Sequence, residues 1–365
     1  MSQAIVMDVG GTNARIAISS YKGFSHSKQY ECRKYPGGLK DIIQEYVNEM
    51  MASGNLRGRP ERGVFAVAGP VNDPSHFRFG SIPEWDVVDF KKMGEDLDIE
   101  ISLINDFAAN GYAMLSLEPT DCIDLHGGRD PFYPRYYFQG VLSNPDANDR
   151  LIMPQPRSEH RNLIIGPGTG LGAATTMVVG TQFLVVDGEG GHGNFYTRSA
   201  REAHIVEEIQ RQSEAEAKEN PLSKVFKDVS YETVCCGPGL VRLFNAIHSV
   251  SKSNVPLLTS PEQVVEAAKA GDCKVSAEAL DFFTRALGRA ASTGALFNNV
   301  RGGVVIAGGI VQKIGQHFNA SVMAEEFVSN DLDKSNFLSD VPIVMIANEN
   351  AGLAGAHNYA RHYLG

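Results

Sequence analysis

Two glycine turns carry the first chemistry legible in the chain. In Ile5-Val6-Met7-Asp8-Val9-Gly10-Gly11-Thr12-Asn13-Ala14-Arg15-Ile16-Ala17-Ile18, a Gly-Gly-Thr turn separates two runs rich in Ile and Val. Asn162–Val179 repeats the plan around Gly166-Pro167-Gly168-Thr169-Gly170-Leu171-Gly172. Each reads as strand, tight turn, strand. Lacking Cβ atoms, the glycines permit positive φ and let backbone N–H groups approach an anion closely. Thr12 and Asn13 add side-chain donors, and Thr169 occupies the matching place. One such turn reads equally well as an ordinary hairpin; the second copy favours a phosphate site. Asp8 ends the first strand beside its turn. A carboxylate there would repel a phosphate unless a cation lay between them, which points to Mg²⁺. No G-x-x-x-x-G-K-[ST] run occurs at either place, and strand rather than helix follows the glycines, so neither a Walker loop nor a dinucleotide fingerprint fits.

The other reactive side chains are carboxylates and one imidazole. Asn105-Asp106 stands where a short apolar strand, Ile99–Ile104, meets a helix start. An Asp there can cap the helix. It can also accept a proton from a hydroxyl attacking phosphorus, the task a phosphoryl-transfer enzyme assigns to a carboxylate. Gly188-Glu189-Gly190-Gly191-His192-Gly193-Asn194 places an acid and a His in a glycine-rich turn after the strand Gln182–Asp187. Such a turn can be simply solvated. Pyranose hydroxyls both donate and accept, however, so carboxylates and a neutral imidazole suit adjacent sugar hydroxyls. Glu232 lies shortly before Cys235-Cys236-Gly237-Pro238-Gly239-Leu240, and a double-glycine turn, Gly308-Gly309, follows the apolar strand Gly302–Ala307. A turn at the carboxyl end of a strand is the usual ligand position in open α/β sheets.

Together these motifs resemble the sugar kinase, Hsp70 and actin superfamily, and Asp8-Val-Gly-Gly-Thr-Asn-Ala-Arg15 is especially similar to bacterial-type glucokinases. The resemblance covers nearly the whole chain apart from one insertion. It implies an α/β molecule of two lobes, the actin-like ATPase (ribonuclease H-like) fold, with the site in the interlobe cleft. It implies ATP and Mg²⁺ held by Asp8, Gly10, Gly11, Thr12, Asn13, Gly168, Thr169 and Gly170, with Gly308 and Gly309 facing adenosine. Asp106 becomes the general base, and Asn105, Asp106, Glu189, His192 and Glu232 the ligands of glucose. The implied reaction is phosphorylation of the glucose 6-hydroxyl, the first step of glycolysis, in a cytoplasmic homodimer. Two departures stand out. Cys236 occupies the place of a family Ser, and Gly80-Ser81-Ile82-Pro83-Glu84-Trp85 lacks the Thr-Asn that usually precedes the Trp. A kinase for another hexose, or one using polyphosphate, fits the same residues. A non-catalytic sugar sensor would usually append a helix-turn-helix, and a zinc-bearing relative would carry C-x-C-G-x-x-G-C; neither pattern is present.

The elements that must hold these residues follow from periodicity. Asp41–Met51, Arg198–Lys218, Val241–Ile247, Pro261–Gly271 and Ser276–Asn298 show helical spacing, and Gly63–Ala68 and Val341–Ile346 are buried-type strands. Tyr35 onward reads as a linking strand, and Trp85 as core. Residues 1–108 plus 347–365 are expected to form the small domain and 109–346 the large one, with the insertion near 124–161. Its Pro131–Phe138 aromatics are expected to pack over a lobe or at a subunit contact.

Composition agrees with an ordinary soluble globular protein: 365 residues, 43% hydrophobic, 21% charged, formal net charge −10. That charge disfavours a nucleic-acid surface. Five dispersed cysteines without C-x-x-C spacing do not form a disulfide framework or a metal site. No apolar run reaches the ~20 residues needed to span a bilayer, and no signal-peptide pattern precedes the first strand.

Overall fold

A computed structural model describes residues 3–80, 82, 85, 87–127, 161–179 and 182–363. In chain order its elements are β1 (Ala4–Val9), β2 (Asn13–Ser20), β3 (Gly23–Glu31), α1 (Leu39–Ala52), β4 (Arg62–Val67), α2 (Phe90–Leu97), β5 (Glu100–Asn105), α3 (Asp106–Ala113) and β6 (Cys122–His126). There follow β7 (Asn162–Pro167), β8 (Leu171–Val179), β9 (Gln182–Gly188), α4 (Ala200–Glu219), α5 (Tyr231–Val234), α6 (Gly237–Val250), α7 (Pro261–Ala270) and α8 (Lys274–Phe297). The chain closes with β10 (Gly303–Ile306), α9 (Gly309–Ile314), α10 (Ala320–Val328), α11 (Leu332–Ser339), β11 (Ile343–Ile346) and α12 (Ala351–Tyr363).

The repeat seen in the glycine turns extends to topology. One sheet runs β3-β2-β1-β4-β5 and the other β6-β11-β10-β7-β8-β9. In the first, β1 pairs antiparallel with β2 and parallel with β4, which is parallel to β5. In the second, β7 pairs antiparallel with β8 and parallel with β10, which is parallel to β11. The central strands are buried on both faces, so they read as unbroken Ile and Val runs rather than as alternation.

Three cores stack along the molecule. Ile5, Met7, Phe65 and Trp85 pack with α1 and α2 on one face of the first sheet. Val6, Val64 and Ile104 on its other face share a core with α3, α12 and Ile164, Val305 and Val344 of the second sheet. The far face of that sheet, including Leu163 and Ile165, packs on α6 and α8. Thus α3 and α12 lie between the two sheets.

Several details differ from the sequence-based expectation. Tyr35 is not in a strand: a 3₁₀ turn at Cys32–Lys34 follows β3, and α1 starts after Gly38, whose φ is +83°. Asp124–His126, expected inside the insertion, belong to β6 and pair with β11. The remaining insertion, 128–160 with its aromatic run, lies outside the described residues. Trp85 is buried, and its Nε1–H donates to the Tyr35 carbonyl (3.0 Å). All five cysteines are free thiols.

Candidate active site

The two hairpin tips are built alike. In the first, Val9 pairs with Ala14 and the Gly10 N–H donates to the Asn13 carbonyl (3.0 Å). In the second, Pro167 pairs with Leu171 and the Gly168 N–H donates to the Gly170 carbonyl (2.7 Å). One backbone bond ties each tip to the body, from Cys32 N–H to Thr12 O (2.9 Å) and from Gly237 N–H to Gly168 O (2.9 Å). Thr12 and Thr169 remain exposed. The double-glycine turn lies against the second hairpin. Gly308 has φ +99°, and a Cβ on it would come within 2.5 Å of the Pro167 oxygen. Only glycine fits there.

Asp8 is half-buried beside the first tip. Arg15 stands directly across the hairpin, with Nη1 3.6 Å from Asp8 Oδ2. Burial pushes the Asp8 carboxyl above its usual range, and Arg15 only partly counters this. The pairing of positions 8 and 15 across a tight hairpin is the sequence signal for Arg15 as the partner of Asp8.

Asp106 is the first residue of α3, yet it is not the cap. Asn105 holds that position: its Oδ1 accepts from Phe107 N–H (2.8 Å) and Ala108 N–H (3.1 Å), while its Nδ2 donates to Gly69 O (3.1 Å). The Asp106 carboxylate takes one bond, from Phe107 N–H (3.0 Å). Burial pushes Asp106 up to about 7, the charge of Asp8 adds to this, and the Phe107 hydrogen bond opposes it. The charge of Asp8 thus disfavours the ionised form of Asp106.

Phe107 carries this corner to the second hairpin. A Cβ built on Gly172 of β8 would lie 2.0 Å from two Phe107 ring carbons, so the ring fills the space that glycine leaves. On the same hairpin, the Leu171 N–H donates to Glu232 Oε2 (3.0 Å). The other Glu232 oxygen faces His192, 3.9 Å from Nδ1, and Glu189 Oε2 lies 3.6 Å from Nε2. Both distances exceed a hydrogen bond, so the imidazole is flanked by carboxylates but not locked. Cys236 fills the place of the expected Ser and caps α6, its Sγ accepting from Gly239 N–H (3.3 Å). A line of neighbours therefore runs from Asp106 through Phe107, Gly172, Leu171 and Glu232 toward His192 and Glu189, joining residues scattered over both halves, and Asp8 acts on Asp106 through its charge. A cavity of about 650 Å³ backs onto the loop, its wall including Glu189 and Tyr231 but none of Asp8, Asp106 or His192.

Two sheets of matching topology, each with a glycine hairpin, and a half-buried carboxylate where they meet fit the actin-like ATPase fold as sugar kinases carry it. Within that class the chain belongs to the glucokinase family, whose model matches residues 5–363. The glucokinase of Citrobacter koseri is 31% identical over 364 residues, covering 99% of this chain and 98% of that protein. Among solved structures, the glucokinase of Balamuthia mandrillaris in complex with glucose superposes with a TM-score of 0.72 at 18% identity, covering 99% of this chain and 94% of that one. A ROK family glucokinase from Streptomyces griseus in complex with glucose and AMPPNP gives 0.60 at 14%, covering 99% of each.

Proposed function

We propose that this protein transfers the γ-phosphoryl group of MgATP to the 6-hydroxyl of D-glucose, giving glucose 6-phosphate and ADP. The observation that carries this reading is Asp106: a half-buried carboxylate, not used as the cap, whose pKa is pushed up to about 7. As the 6-oxygen bonds to the γ-phosphorus, its proton passes to Asp106 and the bond from phosphorus to the β–γ bridging oxygen breaks. Glu189, His192 and Glu232 hold the ring hydroxyls, and Asn105, fixed by its three hydrogen bonds, borders the sugar. Gly10–Asn13 and Gly168–Gly170 hold the phosphates, and Gly308-Gly309 the adenosine side.

Asp8 fits a Mg²⁺ site. It is a half-buried carboxylate only partly matched by Arg15, and Mg²⁺ in nucleotide sites typically takes one or two carboxylates together with phosphate and water. When bound, the ion supplies charge neutralisation on the phosphates. No group of three or more potential ligands exists among the described residues, in keeping with a metal that arrives with the nucleotide. We assign residues 1–108 plus 347–365 to one lobe, since α12 packs on β1 and β2, and 109–346 to the other. Cytoplasmic location accords with the absence, among the described residues, of any helix able to cross a membrane. A homodimer rests on the family resemblance and is read by light scattering.

The test is a coupled assay with purified protein, a panel of hexoses, and ATP or polyphosphate as donor. ATP-dependent turnover on glucose in preference to fructose and mannose is expected. Turnover only with polyphosphate reassigns the donor, and glucose binding without turnover on any sugar overturns the kinase reading.

A further inference from the structure

Behind the sugar loop lies a buried ionic cluster that the reaction itself does not use. Arg289 of α8 is 1% exposed and spends all five of its N–H donors. Its Nη1 and Nη2 donate to the two oxygens of Glu202 (2.8 and 2.7 Å), and its Nε and Nη2 to those of Glu326 (2.8 and 3.2 Å). The fifth goes from Nη1 to the carbonyl of Tyr196 (3.2 Å), four residues after His192. The guanidinium also stands 5.5 Å from the centre of the Phe195 ring and 5.8 Å from that of Tyr196. Arg198 closes the arrangement, donating to Glu326 Oε2 (2.9 Å) and, through its backbone N–H, to Glu202 Oε2 (2.6 Å).

The segment gripped in this way is tied to both arms of the sugar site. It continues directly from Glu189–His192. Phe195 N–H donates to Val229 O (2.8 Å), Tyr231 N–H donates to Gly193 O (2.9 Å), and the Phe195 ring meets Tyr231 edge-on, next to Glu232. A buried ion cluster seldom adds stability over apolar packing of equal volume, because desolvation offsets the attraction. A forked cation with one donor on a loop carbonyl instead fixes position.

We propose that Arg289 is a positioning residue for sugar recognition, holding Phe195-Tyr196 so that Glu189, His192 and Glu232 keep the spacing that glucose requires. The proposal rests on the glucose reading above. Arg289→Lys keeps the charge but loses the fork. In that variant the glucose Kd by calorimetry and the glucose KM rise ~10-fold or more, as small misplacements of binding groups do, while the ATP KM stays within about twofold. Glu326→Gln, which preserves shape, shifts the same constants in the same direction and stands in if Arg289→Lys does not fold. An unchanged glucose Kd in a folded variant, or a parallel rise in the constants for both substrates, overturns the proposal. Calorimetry on glucose alone keeps the two readings apart: absent turnover in the parent protein counts against the kinase assignment, whereas the positioning role is judged on binding.

Discussion

As the proposed general base, Asp106 would both serve the reaction and burden the fold. Its carboxyl titrates near 7 in the native state because burial and Asp8 disfavour the charge, whereas the unfolded chain releases that proton near 3.8. Only the ionised form can accept the 6-hydroxyl proton, so turnover should climb with pH through about 7. Between the two values the native state holds more protons than the unfolded one, so this residue lowers stability as pH rises across that window. Asp106→Asn is therefore expected to keep glucose binding, lose at least ~10²-fold in kcat, and melt a few degrees above the parent at pH 8. Near-parental turnover would remove Asp106 from its role. An equal melting temperature at pH 8 would instead refute the burial argument.

At the scale of elements, α3 is a wedge whose seating decides where Asp106 points. Phe107 occupies the space above Gly172, and α12 approaches so closely that a Cβ on Gly355 would lie 1.7 Å from the Ala109 oxygen. Gly172→Ala must expel the Phe107 ring and shift the first turn of the helix, although residue 172 bears no reactive group. We expect a kcat loss of ~10-fold or more with a smaller change in glucose KM, since displacement of the base by a fraction of an ångström suffices. Adding Phe107→Leu should restore part of that loss, because the two sites share one volume and cannot act additively. Strictly additive losses would show that the contact does not position the helix.

Across the whole molecule, the C-terminal helix joins the end of the chain to its beginning. His357 of α12 is buried with its Nδ1 2.7 Å from Ser19 Oγ of β2. Burial, followed by the nearby Arg361 and His362, pushes the imidazole down to about 4 from its ordinary 6.5. A depressed histidine binds its proton more readily when unfolded, so it costs stability progressively as pH falls from 6.5 toward 4. His357→Gln keeps a side chain able to reach Ser19 but removes that titration. The melting-temperature advantage of the parent over this variant should shrink on acidification from pH 6.5 to 4. A constant difference across that range would mean that the imidazole does not enter the fold neutral.

By itself the sequence determined whatever is encoded in contiguous residues. Apolar strands buried on both faces, glycines where a backbone must turn tightly, and 3.6-residue periodicity are local signals, and they made legible the two hairpins, most central strands and the long helices. They did not reveal β3, whose Ser25-His26-Ser27-Lys28 stretch is polar because it forms the sheet edge. Nor did they reveal α2, where Gly94 interrupts the helical pattern because its bare Cα packs within reach of the Ile99 carbonyl. The choice of Asn105 over Asp106 as cap, the pairing of Arg15 with Asp8, the fit of Phe107 to Gly172 and the grip of Arg289 on Tyr196 were decided by tertiary structure alone. Each depends on residues brought together across elements, and the burial that shifts Asp106 exists only once two sheets close around one helix.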